Sequence, residues 1–348
     1  MATRRLLLDA GFGEDRGVVL LDGRPERLLL DRYDTALGGP QTPWLHGQAL
    51  VARVARIDRG LGMAFLSCGR DLPELTAAVA GLVEGAAVSA RVVAPARAET
   101  LATARIESAT AEGPPGRQTA RRSLIERLQA FAPGAPVERG AAARQAADLA
   151  QEQALAVDHP LPGGARLSLE PTRALIAVDV DVGGAAAGQD AKQGRRAANM
   201  AALRETARLL RLKGLGGLVV IDLAGKGHDG PALTRVAREA FAPDDPGVSL
   251  GAISRFGLLE LQLPWRETPL AEQLCGAHGT VSAASLALAL LRRIEAQAGP
   301  SGRVRARCSH AVAQVASTLA PRLAERIGAR FTIVADDALS ADFRLDPA

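Results

Sequence analysis

ALIAVDV (Ala174–Val180) and GLVVIDL (Gly217–Leu223) are two short apolar runs, each with an acid near its end, Asp179 in the first and Asp222 in the second. Between them, Ala198–Leu212 carries Met200, Leu203, Ala207 and Leu210 at helical spacing, and Gly214 follows as a cap. Strand, helix and strand in this order predict a βαβ unit with two parallel strands. Strands joined by one crossover helix end on the same edge of the sheet, which is where open α/β folds place their ligands. Asp179 and Asp222 both fall on that edge, on strands that are neighbours, roughly 5 Å apart, or separated by only one strand. Two carboxylates so placed can share a hard cation such as Mg2+, which keeps several waters and takes its remaining oxygens from substrate phosphates. Asp181, two residues on, points to the same face as Asp179 and adds a third oxygen donor. A lone strand-end Asp more commonly caps a following loop, so the matched pair carries the signal.

Outward from this unit, a helix opened by Pro231 follows, and Ser254–Leu261 reads as a further strand. A helix capped by Ser282 and closed by Gly299-Pro300, a helix over Ala311–Ile327 that Pro321 should kink or divide, and a strand at Phe331–Val334 predict a small αβ subdomain over 282–348. Toward the amino terminus, RRLLLDAG, GVVLLDG and RLLLDRY read as strands. ALVARVARIDRGLGMAFLSCG alternates over Ala49–Ile57, turns at Arg59-Gly60 and resumes through Met63–Leu66, and AAVSARVVAP adds another strand. Short strands carrying Arg53, Arg56 and Phe65 suit an OB-type barrel that holds single-stranded nucleic acid by stacking and phosphate contacts. Residues 1–108 are thus β-rich, and 109–162, rich in Ala, Arg, Gln, Gly and Pro with helices at Ser123–Phe131 and Ala141–Val157, reads as a connector.

The chain has 348 residues, 47% of them hydrophobic, enough for two or three buried cores. No apolar run reaches the roughly 18 residues of a membrane span, so the sequence predicts no span. Cys68, Cys275 and Cys308 are an odd, widely spaced set that argues against a disulfide framework and predicts a reducing, cytoplasmic setting. No P-loop or Gly-rich dinucleotide fingerprint is present, which disfavours a small-nucleotide phosphoesterase. The net charge of +4 says little about partners, but its distribution says more. Arg117, Arg121, Arg122 and Arg127 cluster, as do Arg195, Arg196, Arg204, Arg208, Arg211 and Lys213. Arg204, Arg208 and Arg211 share one helical face and either track a phosphate backbone or pair with acids of the fold such as Glu205 or Glu239.

Three ordered stretches resemble a known family. GGARLSLEPTRALIAVDVDVGG (Gly163–Gly184) resembles the ribonuclease E/G pattern in which a Gly-Gly turn leads to E-x-T-x-A-L-x-A-I-D-V-N-S-G. NMAALRETARLLRLKGLGGLVVIDL (Asn199–Leu223) and ISRFGLLEL (Ile253–Leu261, containing Arg255) are similar to the segments that follow it. The resemblance implies a DNase I-like α/β nuclease core over 163–272, an inserted OB-type barrel, and Mg2+-dependent endoribonuclease activity on single-stranded RNA, in RNA processing or decay. It implies that Asp179 and Asp222 are the metal ligands, with Asp181 where the family has an assisting Asn. It also marks departures. The family's long section with an R-T motif that senses a 5′-monophosphate is reduced here to a short stretch after Arg139-Gly140, which implies that the sensor is absent. The later acid of I-D-F-I-D-M is missing from Ile221-Asp222-Leu223-Ala224-Gly225-Lys226. The zinc link C-P-x-C becomes Cys275-Gly276-Ala277-His278 within 273–281. A Cys/His pair from each of two subunits of a homo-oligomer can still form a tetrahedral Zn2+ site, and otherwise His278 is a loop histidine. The alternative to an active nuclease is a non-catalytic or weakly active RNA-binding relative.

Overall fold

A computed structural model describes residues 3–33, 43–79, 81–97, 100–183, 191–297, 303–339 and 342–347. The chain is mixed α/β. It opens with β1 (Arg4–Ala10), β2 (Glu14–Leu21) and β3 (Arg24–Arg32), an antiparallel meander turned at Asp22-Gly23, both at positive φ. The next five strands, β4 (Ala49–Asp58), β5 (Met63–Ser67), β6 (Leu75–Ala78), β7 (Ala87–Ala94) and β8 (Ala102–Ser108), form a closed barrel in which β4 pairs with both β5 and β7. Alternation puts Leu50, Ala52, Val54, Ala64 and Leu66 in its own separate core. The short β9 (Gly116–Arg117) lies on the outer part of β4.

The barrel is an insertion. Asp31, near the end of β3, accepts from Arg121 at 2.7 Å and from Arg127 at 2.9 Å, so the chain leaving the barrel returns to where it entered. A second tie runs from the barrel to the core, where the Arg97 guanidinium stacks 4.4 Å from the Trp265 ring centre.

Residues 109–162, expected as a connector, are woven into the fold. Helix α1 (Leu124–Gln129), started by a Ser123/Glu126 capping box, covers one face of the first sheet through Leu124 and Leu128. Strand β10 (Val137–Glu138) adds to β1 in parallel. Helix α2 (Ala141–Leu155) presses Ala143, Ala147 and Ala150 against the other face, where small side chains permit close approach.

The second half holds β11 (Asp158–Pro160), β12 (Arg166–Pro171), β13 (Ile176–Asp181), α3 (Ala191–Lys213), β14 (Gly217–Asp222), α4 (Gly230–Phe241), β15 (Ser249–Leu250), β16 (Leu258–Leu263) and α5 (Leu270–Leu274). The strands lie in the order β11-β12-β13-β14-β16-β15. β13 and β14 are the parallel pair expected around α3, and the other pairings of this sheet are antiparallel. Helix α3 lies between this sheet and β3, so it is buried on two sides. Only one face of the sheet is covered. Ile176, Val178, Val219 and Ile221 face α3, whereas Ala177, Asp179, Leu218 and Asp222 are exposed. The strand expected from Ser254 begins at Leu258, because Ser254–Gly257 is a turn in which Gly257 (φ +91°) donates to the Ser254 carbonyl at 3.0 Å.

The last unit comprises α6 (Ala283–Gln297), β17 (Val304–Cys308), α7 (His310–Ile327), β18 (Phe331–Ala335) and β19 (Phe343–Pro347), with a core of its own. Helix α7, which Pro321 was expected to kink or divide, is not divided and runs through it as one element. Ser317, whose carbonyl loses its helical partner to Pro321, is exposed, so water can take the missing bond.

Buried beside α3, His159 carries a prediction. Burial, then the nearby Lys213 ammonium, push its pKa down to about 4 from 6.5, and its Nε2 faces the Ala156 carbonyl at 3.2 Å. The folded imidazole is therefore neutral at a pH where the unfolded one is charged. Between pH 6.5 and about 4 the unfolded chain binds more protons, so stability falls as pH drops through that window, by about 3 kcal/mol in all. His159→Gln, which can still donate to Ala156, should flatten this loss in urea unfolding curves at neutral and acid pH. An unchanged pH slope in the variant would assign the loss to other groups.

Candidate metal site and basic surfaces

In the parallel register Asp179 stands directly opposite Asp222. Adjacent strands are about 4.8 Å apart, and both carboxylates project from the open face at the carboxyl edge. Among the described residues neither has an ion pair or a hydrogen-bond donor. Asp181 is exposed on the same face one row further, opposite Arg166, and its Oδ1 accepts from Gly183 N at 2.8 Å. The described residues contain no cluster of three or more His, Cys, Asp or Glu able to hold a metal, so Asp181 does not join the other two. Two exposed, registered carboxylates with unused oxygens fit Mg2+, which needs one or two protein carboxylates and completes its shell with water and phosphate oxygens.

The segment after Asp222 is held from α3, a role the sequence left unread. Asn199, buried, donates from Nδ2 to the Ala224 carbonyl at 3.1 Å and accepts the Ala224 N–H at 2.9 Å. This two-point clamp fixes the backbone that carries Asp222. On the other side Leu223 N donates to Gly257 O at 3.2 Å, which brings the Ser254–Gly257 turn alongside. Arg255 and Phe256 are exposed there, with the guanidinium 4.6 Å from the ring centre. Phe256, 70% exposed, is an aromatic platform at the carboxylate edge, and an exposed Phe inside an otherwise apolar strand run gave no sequence signal.

The arginines of α3 divide. Arg204 is exposed. Arg208 is buried, donating to Glu205 at 2.6 Å and to the Pro25 carbonyl, and Arg211 bridges Glu26 at 3.1 Å and Asp244 at 2.7 Å. Burial pushes the Glu205 carboxyl up, but Arg208 and Arg24 hold it below its ordinary value. Lys213 is buried with its ammonium on the Ala154 and Ala156 carbonyls, and burial lowers its pKa to about 8. Only Arg204 of these four presents its charge to solvent. On the barrel, Arg56 stacks 3.9 Å from the Phe65 ring centre in the cross-strand pair Arg56–Phe65, and exposed Arg53 donates to Gly85 O at 3.1 Å. Cys275 bridges to Val281 and closes a tight turn with exposed His278 at its tip. Burial pushes the Cys275 thiol up. No helix among the described residues is long and apolar enough to cross a membrane.

The sequence profile of the Ribonuclease E/G family matches residues 118–263. The chain is 36% identical to ribonuclease E of Escherichia coli (strain K12) over 148 residues, which are 40% of this chain and 14% of that protein. It is 35% identical over 148 residues to ribonuclease E of Haemophilus influenzae, covering 40% of this chain and 16% of the relative. It is 32% identical over 106 residues to the chloroplastic ribonuclease E/G-like protein of Arabidopsis thaliana, covering 29% and 11%. The matched segment thus spans less than a fifth of these relatives. That segment holds both strand-end carboxylates, the helix between them and the turn beside them, and it is there that the chain is similar to the ribonuclease E/G family.

Proposed function

We propose that the chain is a Mg2+-dependent endoribonuclease of single-stranded RNA, with Asp179 and Asp222 as metal ligands. The observation that carries this reading is their register across neighbouring parallel strands on an open face, within the segment that matches named ribonucleases. Bound Mg2+ would polarise the scissile phosphate and lower the pKa of the attacking water. The chain's own part is to hold the two carboxylates rigidly, through the β13–β14 ladder and the Asn199 clamp, and to leave their face open to an extended strand. Phe256 offers a surface on which an unpaired base can stack, and Arg255 beside it a charge for the backbone. The closed five-stranded barrel with Arg56 over Phe65 supports reading it as an OB-type RNA-holding domain, and the open sheet with one covered face as a reduced DNase I-like core.

A second reading is favoured by the sequence after Asp222 and by the carboxylate arrangement. With Ala224-Gly225-Lys226 in place of a further acid, and Asp181 outside the pair, the site has few oxygens and a nearby cation, as a weakly active or non-catalytic RNA binder would. Labelled single-stranded RNA incubated with Mg2+ and with EDTA separates the two. Cleavage with Mg2+ that EDTA stops supports the nuclease, and a stable shifted complex without cleavage supports the binder. In the same assay, 5′-monophosphorylated and 5′-hydroxyl RNAs are expected to be cut at similar rates. A preference above about tenfold, or about 1.4 kcal/mol, would show that a 5′ sensor exists in this chain.

A further inference from the structure

The carboxylates occupy the open face of the sheet edge; on the helical side of the same edge lies a cavity of about 320 Å³ between the start of α3 and the start of α4. Lys192, Arg195 and Arg196 line it from α3, and Lys226 and His228 from the segment after Asp222. The one acid in its wall, Asp229, is already engaged: its carboxylate accepts from Ala232 N at 3.2 Å as the α4 cap and pairs with Arg196 at 3.0 Å. Lys192, Arg195 and Lys226 have no acidic partner among the described residues. The His228 Nε2 is buried without a hydrogen-bond partner among the described residues and packs toward Gly257, so it is the cations of the wall that call for an anion. Gly225 (φ +87°) makes the convergence possible, because a Cβ there would stand 2.9 Å from Arg195 Cδ.

Four cations against one committed acid form a site that lacks its anion. Its volume falls within the range of small-ligand sites. Lys226 is four residues from Asp222 and Ala224 only two, a reach of at most about 7 Å for the shorter path, so an anion here is within one or two nucleotides of a phosphate at the carboxylates. We infer that this cavity binds a phosphate group of single-stranded RNA, holding the strand as it passes over the sheet edge. The inference rests on the RNA reading above and deepens it. The phosphate has two sources, an internal diester or a terminal monoester.

The test uses the full chain and the double variant Arg195→Gln/Lys226→Gln, whose side chains lie at the rim and outside the cores. A short oligouridylate, with either a 5′-hydroxyl or a 5′-phosphate, is titrated without Mg2+ at several salt concentrations. The variant is expected to bind about tenfold more weakly, with a log-log salt slope flatter by about 1.4 for two lost contacts. A loss equal for both oligonucleotides assigns an internal phosphate, and a larger loss for the 5′-phosphate a terminal one. Affinity and slope unchanged in the variant would overturn the inference. Inorganic phosphate supplies an arm independent of RNA. It should raise the Tm of the wild type and not of the variant. If the wild type binds no RNA yet shows this phosphate effect, the RNA reading fails while the anion pocket stands. If phosphate raises both Tm values alike, the pocket fails as well.

Discussion

Asp222→Asn is expected to lower Mg2+-dependent cleavage by roughly a thousandfold, about 4 kcal/mol of transition-state stabilisation, while RNA affinity without metal stays within a few fold. The amide keeps the size and the backbone position, because Asn199 holds the chain at Ala224 and the β14 ladder is untouched. What it removes is one of two anionic oxygens pairs facing each other across the parallel strands. The substitution leaves every basic side chain in place, so binding survives. Measurement of single-turnover cleavage and of affinity on the same preparation separates the roles, and equal cleavage by variant and wild type would remove Asp222 from the metal site.

Arg211→Gln should act on stability instead. Its guanidinium lies 3.1 Å from Glu26, which is fully buried, and 2.7 Å from Asp244, and the shorter contact is also a hydrogen bond. Removing one partner of a buried pair leaves an uncompensated charge, at a cost of about 3 kcal/mol. Arg4, at 2.9 Å, remains to Glu26 and limits the loss. The urea midpoint should drop, and the salt slope of RNA binding should not change. A slope flatter by about 0.7 with an unshifted midpoint would instead make Arg211 a phosphate contact. Arg204→Gln, at an exposed position of the same helix, is the control for stability.

The contrast within α3 shows how far sequence reasoning reaches. The βαβ unit was legible, because two apolar runs flanking an amphipathic helix have few other ways to bury themselves, and the crossover helix makes the two strands parallel. The pairing of Arg208 with Glu205 was among the alternatives the helix offered, but the destination of Arg211 was not legible. Helical spacing says which residues share a face, but what covers that face is β3 and the end of α4, which bring Glu26 and Asp244 from distant sequence positions. For the same reason the open face of the sheet was hidden, since Ala177 and Leu218 are apolar whether or not anything packs on them. The cavity at the helix starts and the Asn199 clamp are assembled from separate segments, with no local motif to announce them. The barrel was readable because strand alternation is a local property.

The ion pairs that gather Arg121 and Arg127 onto Asp31 have a meaning for descent. They set the two crossing points of the barrel side by side, so the host sheet and helices close without it and the barrel closes without them. A gene could gain, lose or exchange such a guest at little cost, since joining ends already adjacent adds little loop-closure entropy. The two cores, each closed on its own side chains, could then diverge at different rates within one lineage.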